Sequence, residues 1–260
     1  MTEPTLSTLL NFALDAVYQI GRLTLGHFQT QVDQERKADN TPVTIADRQA
    51  EEKMRGLITT YWPDHGIVGE EFENKAPQAE DGYTWIIDPI DGTKSFVAGV
   101  PLYANLVALV KGKEPVLGIA NFPALADMVY ATKGGGCYWN GRSAHVSAIN
   151  HLKEALLLTS GLNYFGDKQA TWQELVKATY IQRTWGDAYG YFLVATGRAE
   201  IMLDPAMYLW DSAPFQVIME EAGGTFTDWK GIPTIYGGNS IATNGLLYEP
   251  LMEIVKKTWG

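Results

Sequence analysis

Apolar residues recur along the chain with two different periods, and the switches between them lay out its elements. Leu6, Leu9, Leu10, Ala13, Leu14, Val17 and Ile20 fall at three- and four-residue spacings, which predicts an amphipathic helix from Thr5 to His27. A second helix is predicted from Ile45 to Tyr61, with Ala46, Ala50, Met54, Leu57 and Ile58 inward, and Trp62-Pro63-Asp64-His65-Gly66 stops it. Residues 30–43 are polar and end in Asn40-Thr41-Pro42, which reads as a loop.

Shorter apolar runs predict strands. Ile67-Val68-Gly69 is a short buried strand ending at Glu70-Glu71; beyond a polar loop from Asn74 to Gly82, Trp85-Ile86-Ile87 leads straight into Asp88-Pro89. Tyr103 to Val110 and Val116 to Ala120 read as neighbouring strands turned at Lys111-Gly112-Lys113. Met128 to Ala131 and Cys137-Tyr138-Trp139 form a hairpin around Gly134-Gly135-Gly136, and Asn140-Gly141 is the next turn. The second half alternates strand (Leu156 to Thr159), helices (Trp172 to Lys177, Ala188 to Thr196), strand (Glu200 to Leu203) and helix (Asp211 to Ala222). Strands near Thr225 and Ile241 and a terminal helix complete it. A layered α/β fold follows: one domain spanning 1–260, whose halves, roughly 1–150 and 151–260, share an interface.

Composition narrows the function. At 46% hydrophobic, the 260 residues can bury a large core. The start lacks a secretory pattern, and runs such as Leu106 to Val110 are too short to span a bilayer, so a soluble cytoplasmic protein with no membrane partner is expected. The lone Cys137 excludes an internal disulfide and a cysteine-rich metal site. A net charge of −10 disfavours nucleic acid. It would disfavour phosphate esters too, unless divalent cations stand between the carboxylates and the phosphate.

The candidate chemistry centres on Asp88-Pro89-Ile90-Asp91-Gly92-Thr93. A strand delivers the chain to Asp88, Pro89 stiffens the exit, and Gly92 permits a sharp turn. Two carboxylates on such a turn can aim at one spot with the Ile90 carbonyl between them, the oxygen donors a hard cation takes. The Gly92 and Thr93 amides can then face a phosphate oxygen. Taken alone, an Asp-x-x-Asp-Gly is commonly an Asx turn. Glu70-Glu71 alone would be a solvated pair, and Asp211 alone an N-cap.

Together they resemble something specific. Gly69-Glu70-Glu71, Trp85-Ile86-Ile87-Asp88-Pro89-Ile90-Asp91-Gly92-Thr93 and Trp210-Asp211-Ser212-Ala213 closely resemble signature motifs of the inositol monophosphatase family, in order and at family-like spacing. Thr44-Ile45-Ala46-Asp47 upstream and Glu221-Ala222-Gly223-Gly224 downstream extend the likeness over nearly the whole chain. The resemblance implies an alternating α-β-α-β-α sandwich, a homodimer, and two or three magnesium ions per site. It implies that Glu70, Asp88 and the Ile90 carbonyl hold one ion, that Asp88, Asp91 and Asp211 hold another, and that Glu70 with waters supports a third. Asp47 would hydrogen-bond Thr93, and this pair, with Glu70, would serve an attacking water. The implied reaction is in-line hydrolysis of a small phosphate monoester by a metal-activated water, with no covalent phospho-enzyme. Two physical arguments agree: clustered carboxylates raise one another's pKa unless cations neutralise them, and the start of a predicted helix favours a charged Asp211.

The substrate is read from Arg183-Thr184-Trp185-Gly186-Asp187-Ala188-Tyr189-Gly190-Tyr191. This stretch is similar to the histidinol-phosphate phosphatases of the family, whereas inositol-specific members usually carry a small residue where Asp187 falls. A carboxylate there would form a charge-assisted hydrogen bond with an ammonium group, and Asp204 could add a second acidic contact. Alternatively, Asp187 caps the helix beginning at Ala188. L-Histidinol phosphate is the expected substrate, with inositol phosphate as the alternative. Other classes fit less well. A non-catalytic calcium or phosphate-binding protein would need no Asp47–Thr93 pair, and EF-hand ligands lie in one short segment. His27, His65, His145 and His151 lack zinc-ligand spacing, and no Gly-x-Ser-x-Gly is present.

Overall fold

A computed structural model describes residues 3–30, 34–36 and 42–259. The first half runs α1 (Leu6–His27), β1 (Gln34–Arg36), β2 (Pro42–Thr44), α2 (Ile45–Tyr61), β3 (Gly66–Gly69), β4 (Tyr83–Asp91) and α3 (Thr93–Val97). It continues with β5 (Ala104–Lys111), β6 (Glu114–Phe122), β7 (Asp127–Thr132), β8 (Gly136–Trp139) and β9 (Arg142–Ser143). The second half runs β10 (Leu156–Leu158), α4 (Gln169–Ala178), β11 (Ile181–Arg183), α5 (Ala188–Ala195), β12 (Ile201–Asp204), α6 (Leu209–Glu221), β13 (Thr225–Thr227), β14 (Ser240–Thr243) and α7 (Tyr248–Trp259).

Strands β3 to β9 make one sheet of seven in sequence order, parallel at β3–β4 and antiparallel from there on. The other sheet has five strands, ordered β11-β10-β12-β14-β13. Their side chains alternate between layers, as the period of a strand requires. Trp85, Ile87, Val107 and Leu109 pack against Leu9, Ala13, Val17 and Ile20 of α1 and Ala50 and Met54 of α2. Ala104 and Leu106 face the other way, into a cluster with Tyr191 and Phe192 of α5 and Phe215 and Ile218 of α6. Met202 and Ala242 of the second sheet enter that same cluster, while Ile201, Leu203 and Ile241 turn outward to Leu175, Leu251 and Val255 of α4 and α7. The layers therefore alternate helix, sheet, helix, sheet, helix, and the central cluster draws on both halves. None of the described helices is long and apolar enough to cross a membrane.

Several boundaries differ from the sequence reading. The polar stretch expected to be a loop contains β1 and β2, which pair antiparallel with Val43 buried. Its residues 31–33 and 37–41, including Asn40 and Thr41, lie outside the described residues. The apolar pattern does not predict strand β11, because Ile181-Gln182-Arg183 is a short, polar edge strand with no apolar run to mark it. Helix α4 starts at Gln169 rather than Trp172, and α6 starts at Leu209, so Asp211 is its third residue rather than its first.

Helix α6 lies directly on β6. A Cβ on Gly118 would sit 2.9 Å from Pro214 Cα and closer still to its carbonyl oxygen, so backbone meets backbone there. We predict that Gly118→Ala costs about 1–3 kcal/mol through overpacking, read by chemical denaturation. Wild-type stability in that variant would mean that α6 can slide on the sheet.

Candidate active site

A strand sends residues three apart to opposite faces, yet Asp88 and Asp91 of β4 converge. The cause is a bulge: Asp88 pairs with Leu106 and Asp91 with Ala104, so β4 carries one residue more than β5 across this interval. The interval holds Pro89, which has no N–H to leave orphaned, and Ile90, whose N–H turns to Asp88 Oδ1. The Pro89 carbonyl accepts a hydrogen bond from Asn105 Nδ2 at 2.7 Å. Asn105 is wholly buried; it accepts from Asn121 Nδ2 at 3.0 Å and donates to Thr24 Oγ1 of α1 at 3.2 Å. The segment then turns through Gly92 at φ 75°, a left-handed value that suits glycine, into α3.

Ligand oxygens of Asp88, Asp91 and Asp211 all lie within 4.8 Å of one another. Glu70, at the exit of β3, hydrogen-bonds Asp88. Three backbone amides orient the cluster. Ile90 N–H donates to Asp88 Oδ1 at 3.0 Å, Ala188 N–H at the start of α5 donates to Asp91 Oδ2 at 2.7 Å, and Tyr208 N–H donates to Asp211 Oδ2 at 2.9 Å. Asp211 thus closes a capping box from the third position of α6, at the positive end of its dipole.

Even so, burial pushes all three carboxyl groups up. Asp88 is raised further by Glu70, Asp91 and Asp211, and Asp91 by Asp187 and Asp211. Asp211 is pushed up to about 7 by burial, then by Glu70 and other acids. The donor set is all oxygen, with the Ile90 carbonyl beside it, and the charges that raise these groups are other carboxylates. Such a set fits a hard divalent cation.

Asp47 and Thr93 depart from expectation. Asp47 Oδ2 accepts from Thr44 N–H at 2.7 Å and Thr44 Oγ1 at 2.6 Å, closing the capping box of α2, while Thr93 Oγ1 donates to the Ile90 carbonyl at 3.0 Å. The expected Asp47–Thr93 hydrogen bond is therefore not formed, because each group is engaged by its own local turn. Asp47 is nonetheless buried near Glu70, and burial first, with Glu70 adding to it, pushes its carboxyl up to about 6.

Asp187 holds the N-cap position of α5 but makes no capping hydrogen bond, so the capping role does not apply. Its backbone lies at φ 52°, ψ −153°, a region that is nearly glycine-only and costs a side chain strain. The N–H of Asp187 donates to Ser160 Oγ at 2.8 Å, and the Ser160 side chain also hydrogen-bonds its carboxylate. A Cβ on Gly92 would lie 3.3 Å from Asp187 Oδ2, so this carboxylate adjoins the turn after Asp91. Burial raises its pKa against the pull of the nearby Lys94 ammonium and of Ser160. Asp204 is buried deeper: Oδ1 accepts from Ser160 N–H at 3.0 Å and Oδ2 from Tyr191 Oη at 2.8 Å, and burial pushes its carboxyl up to about 6. Sequence reading missed Asn105, Ser160 and Lys94. A lone amide inside the apolar run from Tyr103 to Val110 marks Asn105; nothing marks Ser160.

A model of the inositol monophosphatase family matches residues 5–259. A histidinol-phosphatase of Chlorobaculum parvum is 40% identical over 237 residues, covering 90% of this chain and 91% of that protein. A histidinol-phosphatase of Mycobacterium tuberculosis is 35% identical over 92% of this chain and 93% of its own length. Among solved structures, an IMPase of Thermotoga maritima superposes with a TM-score of 0.86 at 30% identity, covering 96% of this chain and 98% of that one.

The raised carboxyls set a pH dependence. Carboxyls at about 6 to 7 in Asp47, Asp204 and Asp211 hold protons that an unfolded chain, with acids near pKa ~4, has already released. Stability of the metal-free protein therefore falls as pH rises from about 4 to about 7 and levels off above. With chelator present, the melting temperature should be higher at pH 5 than at pH 8, and magnesium should narrow the difference. A melting temperature indifferent to both would mean that the carboxylates do not strain the fold.

Proposed function

This chain belongs to the inositol monophosphatase family, and we propose that the phosphate monoester it hydrolyses is L-histidinol phosphate, with magnesium as the cofactor. It is a phosphoric monoester hydrolase, and the carboxylate cluster is compatible with metal. Magnesium, when bound, supplies the positive charge that seats a phosphate among carboxylates and acidifies a water. We assign its binding, as two or three ions, to Glu70, Asp88, Asp91, Asp211 and the Ile90 carbonyl.

The remaining roles fall to groups of known geometry. Thr93 commits its hydroxyl proton to the Ile90 carbonyl, so its oxygen presents lone pairs that can accept from a water and aim it at phosphorus. Asp47, at about 6, is suited to take up a proton near neutral pH. The opening amides of α3, at Gly92 and Thr93, lack intrahelical partners and suit the phosphoryl oxygens.

One observation carries the choice of ester: the Asp187 carboxylate beside Gly92, on backbone strained enough to need a reason. In histidinol phosphate the ammonium sits on the carbon next to the ester methylene, so an acid adjoining the phosphate turn can reach it. A neutral polyol gains no charge pairing there. The three histidinol-phosphatases at 35–40% identity support the same reading. Asp204, with both oxygens bonded within the protein, we assign to holding Ser160 and Tyr191 behind Asp187 rather than to direct contact.

Side-by-side turnover should favour histidinol phosphate over inositol 1-phosphate, and the reverse preference would refute the assignment. Asp187→Ala should lower kcat/KM for histidinol phosphate about 10- to 100-fold, as loss of a charged hydrogen bond does, while sparing generic phosphate esters. Asp88→Asn and Asp211→Asn should each abolish turnover with the fold intact; near-normal activity at saturating magnesium would contradict the ligand assignment.

A further inference from the structure

Glu51 is wholly buried on α2, and its two oxygens have separate partners. Oε1 accepts from Arg55 Nε at 2.7 Å, and Oε2 accepts from the backbone N–H of Glu71 at 2.8 Å. Arg55 reaches onward, donating from Nη1 to the Glu73 carbonyl at 3.0 Å and from Nη2 to the Phe72 carbonyl at 3.2 Å. Three of these hydrogen bonds tie residues 71–73 to one helix, and the fourth joins Glu51 to Arg55 within it. Gly69 completes the fit: a Cβ there would lie 2.5 Å from Glu51 Cδ and 2.9 Å from Arg55 Nη2.

This arrangement differs from an ordinary ion pair along a helix. Residues 47, 51 and 55 fall four apart, so Asp47, Glu51 and Arg55 share one face of α2. That face meets the exit of β3, where Glu70 lies between Gly69, packed on Glu51, and Glu71, whose amide Glu51 holds. Both backbone neighbours of Glu70 are therefore fixed by the same carboxylate. Arg55 offsets the charge of Glu51, so the clamp adds no net negative charge to an acidic site.

We propose that Glu51 is a positioning residue for the metal site: with Arg55 it fixes the backbone on either side of Glu70 and so sets the affinity for magnesium. Glu51 touches neither substrate nor ion. Its effect passes through the Glu71 amide and the close seat of Gly69. The inference rests on the reading of Glu70 as a magnesium ligand.

The test is magnesium binding by titration calorimetry without substrate, beside activity as a function of magnesium. Glu51→Gln places an amide against the Arg55 N–H. It should raise the magnesium dissociation constant about 10- to 100-fold, the usual cost of losing a group that orients a ligand. The KM for histidinol phosphate at saturating magnesium should stay unchanged. Gly69→Ala needs no unusual backbone and displaces the Glu51 carboxylate with a methyl group, so it should give the same shift if Glu51→Gln does not fold. A folded variant of either kind that binds magnesium like the wild type overturns the proposal. So does failure of both to fold, since the clamp would then serve the whole chain rather than Glu70. Absence of magnesium binding in the wild type would instead sink the metal-site reading itself.

Discussion

Repulsion between buried carboxylates is the constraint around which the rest of the molecule is arranged. Asp88, Asp91 and Asp211 offer oxygens within 4.8 Å of one another, with Glu70 against Asp88 and Asp187 close to Asp91. Without a counter-ion such a cluster drives its own members apart or into protonation. The structure resists separation by tying Asp88, Asp91 and Asp211 each to a backbone amide, and those amides belong to β4, α5 and the start of α6. A cation entering the cluster meets donors that are already gathered.

The bulge in β4 shows how a backbone irregularity becomes chemistry. One extra residue turns two acids that would face opposite ways onto the same side. The interval holds a proline without an N–H and Ile90, whose N–H goes to Asp88, and the Pro89 carbonyl is taken by Asn105. A chain of buried amides and a hydroxyl, from Asn121 through Asn105 to Thr24, links the bulge to α1. An unpaired carbonyl at that depth would be costly.

The elements built on long apolar periods were legible in the sequence: α1 ends at His27 and α2 spans Ile45 to Tyr61, as their patterns predict. The acids of the cluster were legible as motifs. What the sequence hid is whatever depends on tertiary partners. The direct bond expected between Asp47 and Thr93 gives way to Thr44 and to the Ile90 carbonyl, local partners that compete at short range. Glu51, one of two adjacent glutamates on a helix, looks like a surface acid until Gly69 is seen packed on it. Asp187 reads as a cap by position, but its side chain points to Ser160, which comes from a different strand exit.

The placement of α6 carries a late part of the chain onto the first sheet. Asp211 comes late in the chain, yet its helix packs on β4, β5 and β6, so it joins Asp88 and Asp91 of the first sheet. Ser160, Asp187 and Asp204 belong to the second sheet and its connections. Under the proposed assignment, a substitution confined to the second layer would retune the fit to the alcohol while the carboxylates of the first layer stay in place.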